Sequence, residues 1–489
     1  MKRLRWLILS ILTLIPAGSY SFQILKGLVV NYGDFSYVSS IAVGFQYVYF
    51  GTTSGVIRYD IGKDNWGDPM TGIDGLRGRD IRAIKVSRDD QDVWVRTNQG
   101  IFEYTDAFDR WDEVDQMPSD EPTNGRHLRP DPSYFPPPGF TYLTTGSIVD
   151  EYGRTFSITD ILDDGWSNLW IGTWGMGVFR ADNTSHIMQP LPYGLIQPDI
   201  ITICADQGVL WMGGQPGNSQ RTGITVFDWQ NNEFSYVESQ AAYIFNPQNV
   251  NDIFPDKKNT YIATDNGIWV VDKKSRQIKN HLYRSSGLPD NQVYSVYAGN
   301  DTLFAGSNSG LGMIYMGKDT ATHQSRNFLA SLAILSLDYI DGDLWMGTSQ
   351  GAFRLTPSTG KVSRLTVPEV TQTGPVYDIK HSEEKVWLAT YDNLVSIDLK
   401  TAEAHDYPEI NGYGGARALA VQDTLVAAAT PQGLLLFFIG DRPQHYLYTV
   451  SDGLISNDVK DLVFDGDYLW LGTDLGLTRF WYLDPALNY

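Results

Sequence analysis

Ser349 stands in Gly347-Thr348-Ser349-Gln350-Gly351, a G-x-S-x-G arrangement that in hydrolases holds a nucleophile on a strand-to-helix turn. Related copies of the stretch put Thr53, Asn98, Asp265 or Asn308 at the serine place. A nucleophile would not be exchanged so freely among sibling turns, so the pattern predicts a hairpin. The seven histidines (127, 186, 281, 323, 381, 405 and 445) are scattered with no repeated ligand spacing, and no C-x-x-C, H-E-x-x-H or P-loop pattern occurs. Acidic-glycine turns at Asp163-Asp164-Gly165, Asp341-Gly342-Asp343 and Asp465-Gly466-Asp467 lack the ligand spacing of a calcium loop and repeat as hairpin turns do. Cys204, the single cysteine, lies in the apolar run 200–205 and reads as a buried, inert thiol. These residues predict no catalytic group, no metal and no cofactor.

The elements that would position any site are repeats. Leu344-Trp345-Met346-Gly347-Thr348 recurs as Leu469-Trp470-Leu471-Gly472-Thr473 and Leu169-Trp170-Ile171-Gly172-Thr173. Weaker copies bring the anchor positions to 51, 96, 172, 213, 263, 306, 347, 389, 429 and 472. Their spacing of about 40–45 residues, with aromatic-glycine strands, is the signature of a β-propeller with one four-stranded sheet per repeat. Trp345 and Gly347 share one face of the pleat and Met346 takes the other, so the strand is buried on both sides. A large ring beside a small residue lets the neighbouring sheet come close. The glycine four residues after the anchor fits a turn of positive φ, and Asn393 in its place would tolerate the same conformation. Arg96, in the small-residue place, breaks the pattern.

Lys2, Arg3 and Arg5, an apolar run 6–16, then Ala17, Gly18, Ser19 and Ser21 read as a signal peptide spanning 1–21. The run is short for a membrane span, so the expectation is a periplasmic or secreted propeller over 22–489 with no span after cleavage. The formal net charge of −20 argues against nucleic acid as partner.

A second signature precedes the anchor: Gly287-Leu288-Pro289-Asp290-Asn291-Gln292-Val293 and Gly453-Leu454-Ile455-Ser456-Asn457-Asp458-Val459. Together with the acidic-glycine turn and Leu-Trp-x-Gly-Thr, it resembles the two-component regulator propeller repeat over about residues 35–482. That resemblance implies a bacterial periplasmic sensor propeller, in a family implicated in recognising glycans. After Trp481 only Tyr482 to Tyr489 remain, so a kinase part would be a separate protein.

The fold expected is all-β, a propeller of about ten four-stranded blades, closed as one ring by a strand at 28–32 completing the last blade; two smaller propellers, or a smaller ring with repeats outside it, are the alternatives. The 76 residues between Arg96 and Gly172 mark a Pro-rich loop insertion at about 116–155. A second enlargement, 215–222, falls in another loop class that returns to the same face. Loops on a rigid scaffold commonly carry binding. The residues expected on that face are Trp174, Arg221, Asn308, Tyr391, Asp392 and Asp474, with aromatic rings to stack on sugars and polar groups for hydroxyls; ordinary turn residues are the plain account of each. The function expected is an exported, non-catalytic binding or scaffolding propeller for a glycan, peptide or partner protein. A secreted lyase or hydrolase and a standalone sensor ectodomain working with a separate membrane kinase are the alternatives.

Overall fold

The computed structural model describes residues 29–482 apart from 72–74, 91, 106–109, 120–124, 130–134, 144, 216–219, 239–248, 317–324, 367–373, 423 and 440–443. The expected leader at 1–21 lies outside them. The described residues form ten antiparallel sheets, nine of them four-stranded. They are the ten propeller blades that the period predicts, numbered here in chain order.

Blade 7 shows how one repeat becomes one blade. Its second strand, Asp343–Thr348, is buried from Leu344 onward and runs between Ile334–Ile340 and Gly351–Thr356, with Lys361–Arg364 outermost. Gly351 carries φ 103°, as the tight second-to-third turn requires. Thr348 Oγ1 donates to the Gly351 carbonyl at 2.7 Å, and Thr52, Thr264, Thr430 and Thr473 repeat the bond. The hydroxyl residue after most anchors, threonine or Ser307, therefore closes the turn. Ser349 lies on this hairpin. Asn393 departs from expectation. It does not take a positive φ, and its side-chain oxygen accepts the Leu394 N–H at 3.0 Å instead.

The small anchors show which blade follows which. A Cβ on Gly213 would stand 2.5 Å from Val250 of blade 5, and one on Gly306 would stand 2.9 Å from Ile334 of blade 7. A Cβ on Gly472 of blade 10 would meet Ile200 of blade 4 at 2.6 Å. Inner strands touch in the same order, so blades 4 to 10 close on themselves as a seven-membered ring. The single ten-membered ring is thereby corrected. Strand Val29–Tyr32 does complete blade 10, pairing with Leu477–Trp481 as expected. The chain then leaves the ring through 33–36 and starts a separate set. There Gly172 of blade 3 faces Val38 of blade 1 at 2.6 Å, and Gly51 of blade 1 faces Ile81 of blade 2 at 2.7 Å. Blades 3, 1 and 2 stand side by side in that order as an arc. A shared aromatic core, including Tyr32, Phe50, Trp170, Tyr193, Phe227 and Trp470, joins arc to ring.

Two features mark the ends of the arc. Among the described residues no blade stands in front of the anchor of blade 2, and Arg96 is exposed there, which accounts for the break in the pattern. Blade 3 has no blade behind it. The insertion fills that place and is not the plain extended loop expected: Arg126–His127, Thr141–Leu143 and Ser147–Val149 join the blade as strands. Ile148, with Leu128, Phe140 and Tyr142, covers Ile161, Leu169, Ile171 and Phe179. Phe140 meets Phe179 edge-on at 5.8 Å.

Candidate functional site

The two departures from the repeat meet where arc and ring join. Arg154, at the end of the insertion, donates through Nη1 to the carbonyl of Gln220 in the enlarged turn of blade 4 at 3.4 Å. Its Nε reaches Asp150 at 2.6 Å and its Nη2 reaches Glu238 at 2.7 Å. Arg221, buried, donates through Nε to both Glu238 oxygens at 3.2 and 3.3 Å and pairs with the same carboxylate through Nη2. Two guanidiniums thus converge on Glu238, and Arg154 also holds Asp150. Forked, charge-assisted pairs of this kind hold their geometry strongly.

Burial pushes the Glu238 carboxyl up, but Arg221 and Arg154 outweigh it and hold the group below the usual carboxylate range. Burial likewise opposes the Arg221 charge, and Glu238 reverses that and raises it. Deeper in, burial raises Asp34, which accepts the Ser36 N–H at 2.9 Å. Glu238 therefore stays ionised as a positioned acceptor.

Around this network runs a cleft of about 420 Å³, lined by Phe140, Tyr152, Met176, Pro190, Phe234 and Tyr236 among others. Arg154 lies over the Tyr152 ring at 4.8 Å and Arg221 over the Tyr236 ring at 4.6 Å. Cation–π contact and ion pairs together fix both arginines. The site offers ring faces beside fixed donors and acceptors, the arrangement that binds a polyhydroxylated or peptide-like ligand.

The structure divides the residues expected from sequence. Arg221 lines the cleft. Trp174, 47% exposed, lies on the neighbouring turn with its ring edge-on to Tyr37 at 5.3 Å. The other four lie on turns of the ring. Asn308 is exposed on blade 6 and Tyr391 is 66% exposed on blade 8. The neighbouring Asp392 is half-buried, and Asp474 of blade 10 accepts from Ser456 Oγ at 2.5 Å. All six lie on second-to-third turns: Trp174 on blade 3 and Arg221 on blade 4 beside the cleft, and the others on blades 6, 8 and 10. Asp150, Tyr152, Arg154 and Glu238 were missed. They sit in irregular or outer-strand positions where no motif marks them.

A second polar cluster lines the ring's channel. Asp252, Asp378 and Asp461, each at an inner-strand bulge, accept the N–H of Val296, Leu419 and Ile203 in the next blade, all at 2.8 Å. Asp160 does the same for Ile41 in the arc at 2.9 Å. Burial pushes Asp252 up to about 6 and Asp461 up to about 7. Asp378, 3.5 Å from Lys380, holds that ammonium above its usual range. These carboxylates clasp blade to blade. The pattern Val/Ile-x-Asp-Ile/Leu at 158–161, 250–253, 376–379 and 459–462 is their sequence signal. Among the described residues no three His, Cys, Asp or Glu side chains gather as metal ligands.

No protein-family model and no curated protein matches the chain. Solved structures do. The chain is similar to PorZ, described as an essential surface component of the type-IX secretion system of Porphyromonas gingivalis, at 14% identity over 91% of this chain and 68% of that one, TM-score 0.50. It is also similar to the extracellular domain of the hybrid two component system BT4673 from B. thetaiotaomicron, at 14% identity over 91% and 70%, TM-score 0.48. The corresponding domain of BT3049 from the same organism gives 16% identity over 92% and 69%, TM-score 0.49. At these identities the likeness is one of fold.

Proposed function

We propose that this chain is an exported bacterial binding propeller, non-catalytic, acting in the periplasm or outside the cell, whose ligand is a glycan or a protein segment. The observation that supports this reading is the convergence of both loop enlargements and the buried Arg221 on one cleft. Rigid sheets on either side hold the site, and the loops that depart from the repeat furnish it. Glu238, held ionised by two guanidiniums, is suited to accept hydrogen bonds from hydroxyl or amide groups and unsuited to deliver a proton.

An array of neutral and acidic oligosaccharides, followed by calorimetric titration of each binding probe, tests the reading. Tyr152→Ala removes a ring face without breaking an ion pair and should weaken binding at least about tenfold, the loss expected when one stacked aromatic contact goes. Tyr391→Ala, on the ring, should leave binding unchanged. Equal affinity of Tyr152→Ala and the unmodified chain, or loss confined to Tyr391→Ala, would remove the cleft from consideration.

A further inference from the structure

Every blade has two unlike faces. The forward face carries the anchor and the residue two before it, which is aromatic except for Ala427 of blade 9, and in most blades it receives a β-branched residue of the next inner strand. Val38 in blade 1, Ile81 in blade 2, Ile200 in blade 4, Val250 in blade 5 and Ile334 in blade 7 are received in this way. The rear face carries the alternate residues and packs on the blade behind. In the ring every forward face meets a rear face. The arc leaves one of each over: the forward face of blade 2 and the rear face of blade 3.

Both leftover faces are obstructed. On blade 2, Arg96 stands opposite Ala83 and Ile101, and Trp94 stands opposite Lys85 and Glu103. Arg96 is exposed, and Lys85 donates to the Pro118 carbonyl at 2.5 Å. Where Gly51 or Gly172 leaves room for an incoming side chain, a guanidinium on its stem occupies the space and would lose its hydration under a docked blade. On blade 3, the insertion lays Ile148, Phe140 and Tyr142 over Leu169, Ile171 and Phe179.

We propose that these two faces are complementary docking surfaces for a second copy of this chain, and that Arg96 and the insertion hold them closed. The forward face of blade 2 in one molecule fits the rear face of blade 3 in another, since that pairing of faces builds the successive blade contacts within the ring and within the arc. Such a contact is heterologous and head-to-tail, so open ends would propagate into chains of molecules. Charged residues at an open edge are a common guard against this.

Two full-length variants test the proposal because each opens only one face. Arg96→Gly opens blade 2 and keeps the insertion. Replacing residues 119–149 by a glycine-serine stretch of equal length uncovers blade 3 and keeps both Arg96 and Pro118. Light scattering after size exclusion should give each variant alone the mass of the unmodified chain. Their equimolar mixture should give a species of doubled mass. Arg96→Lys in place of Arg96→Gly should abolish the doubling, because a long charged side chain still fills the slot. Unchanged masses in the Arg96→Gly mixture, with both chains folded by near-ultraviolet circular dichroism, would overturn the complementarity. Doubling with Arg96→Lys or with the native arginine would overturn the role of Arg96. If the replaced chain does not fold, Tyr142→Asp with Ile148→Asp in the intact insertion serves in its place, the buried charges lifting the hairpin from blade 3.

Discussion

Arg96 and Gly472 hold the same place in their blades, and what lies in front of them separates their roles. A Cβ on Gly472 would stand 2.6 Å from Ile200, at the seam that closes the ring. Gly472→Val should therefore cost about 1–3 kcal/mol or more, as overpacking does, whereas Arg96→Ala, at an exposed site, should stay within about 0.5 kcal/mol. Equal losses in denaturant titration would contradict the placing of the seam. The channel makes a second prediction. Asp252 and Asp461 hold protons more tightly in the fold than in the unfolded chain. Their contribution to stability is thus greatest in acid and falls as pH rises from the ordinary carboxylate range, about 4, through 6 and 7. Lys380, facing Asp378, Asp461, Asp338 and Asp252, offsets that charge; His381 is paired with Asp338 at 2.6 Å. Lys380→Met should lower the melting temperature more at pH 8 than at pH 5, and an equal drop at both would contradict the channel account. At this scale, Arg221 was legible because it lay in a loop that broke the repeat. Glu238, its partner, occupies an ordinary outer-strand position, and sequence gives no sign of which outer strand will face a cleft.

The blade strands were legible because burial on both faces leaves one pattern, a large ring beside a small residue, repeated at a fixed period. Trp470, fully buried in the core shared by arc and ring, should lose about 3–5 kcal/mol on replacement by Ala; a loss below about 1 kcal/mol would mean the strand is not enclosed. The insertion reads as a loop in sequence because it is rich in Pro, Asp and Ser, with Pro136-Pro137-Pro138 at its centre. Its strands are two or three residues long, too short to leave a period. What they do follows from their place beside a blade with nothing behind it. Ile148→Ala, at a fully buried site, should cost about 2–5 kcal/mol and loosen the arc alone. Hydrogen exchange should quicken across 155–191 and stay unchanged across 376–438. Uniform quickening would show that arc and ring unfold together.

At the scale of the whole molecule, the repeats count blades without saying which blade meets which. Each forward face is built to the same pattern and accepts any following inner strand, so ten repeats are compatible with several closures. The closing strand of blade 10 was legible from its position, and the turn at 33–36 that carries the chain out of the ring was not. Arg96 was the one residue in the sequence that reported the division, as an anomaly. The division matters for function because the cleft between blades 3 and 4 exists only where arc meets ring. Hydrogen exchange on the chain with and without a saturating oligosaccharide found by the array tests this most directly. Peptides covering 150–154 and 234–238 should gain protection, while 306–310, 389–393 and 472–476 on the ring should not change. Protection confined to those ring turns, with the cleft peptides unchanged, would contradict the account.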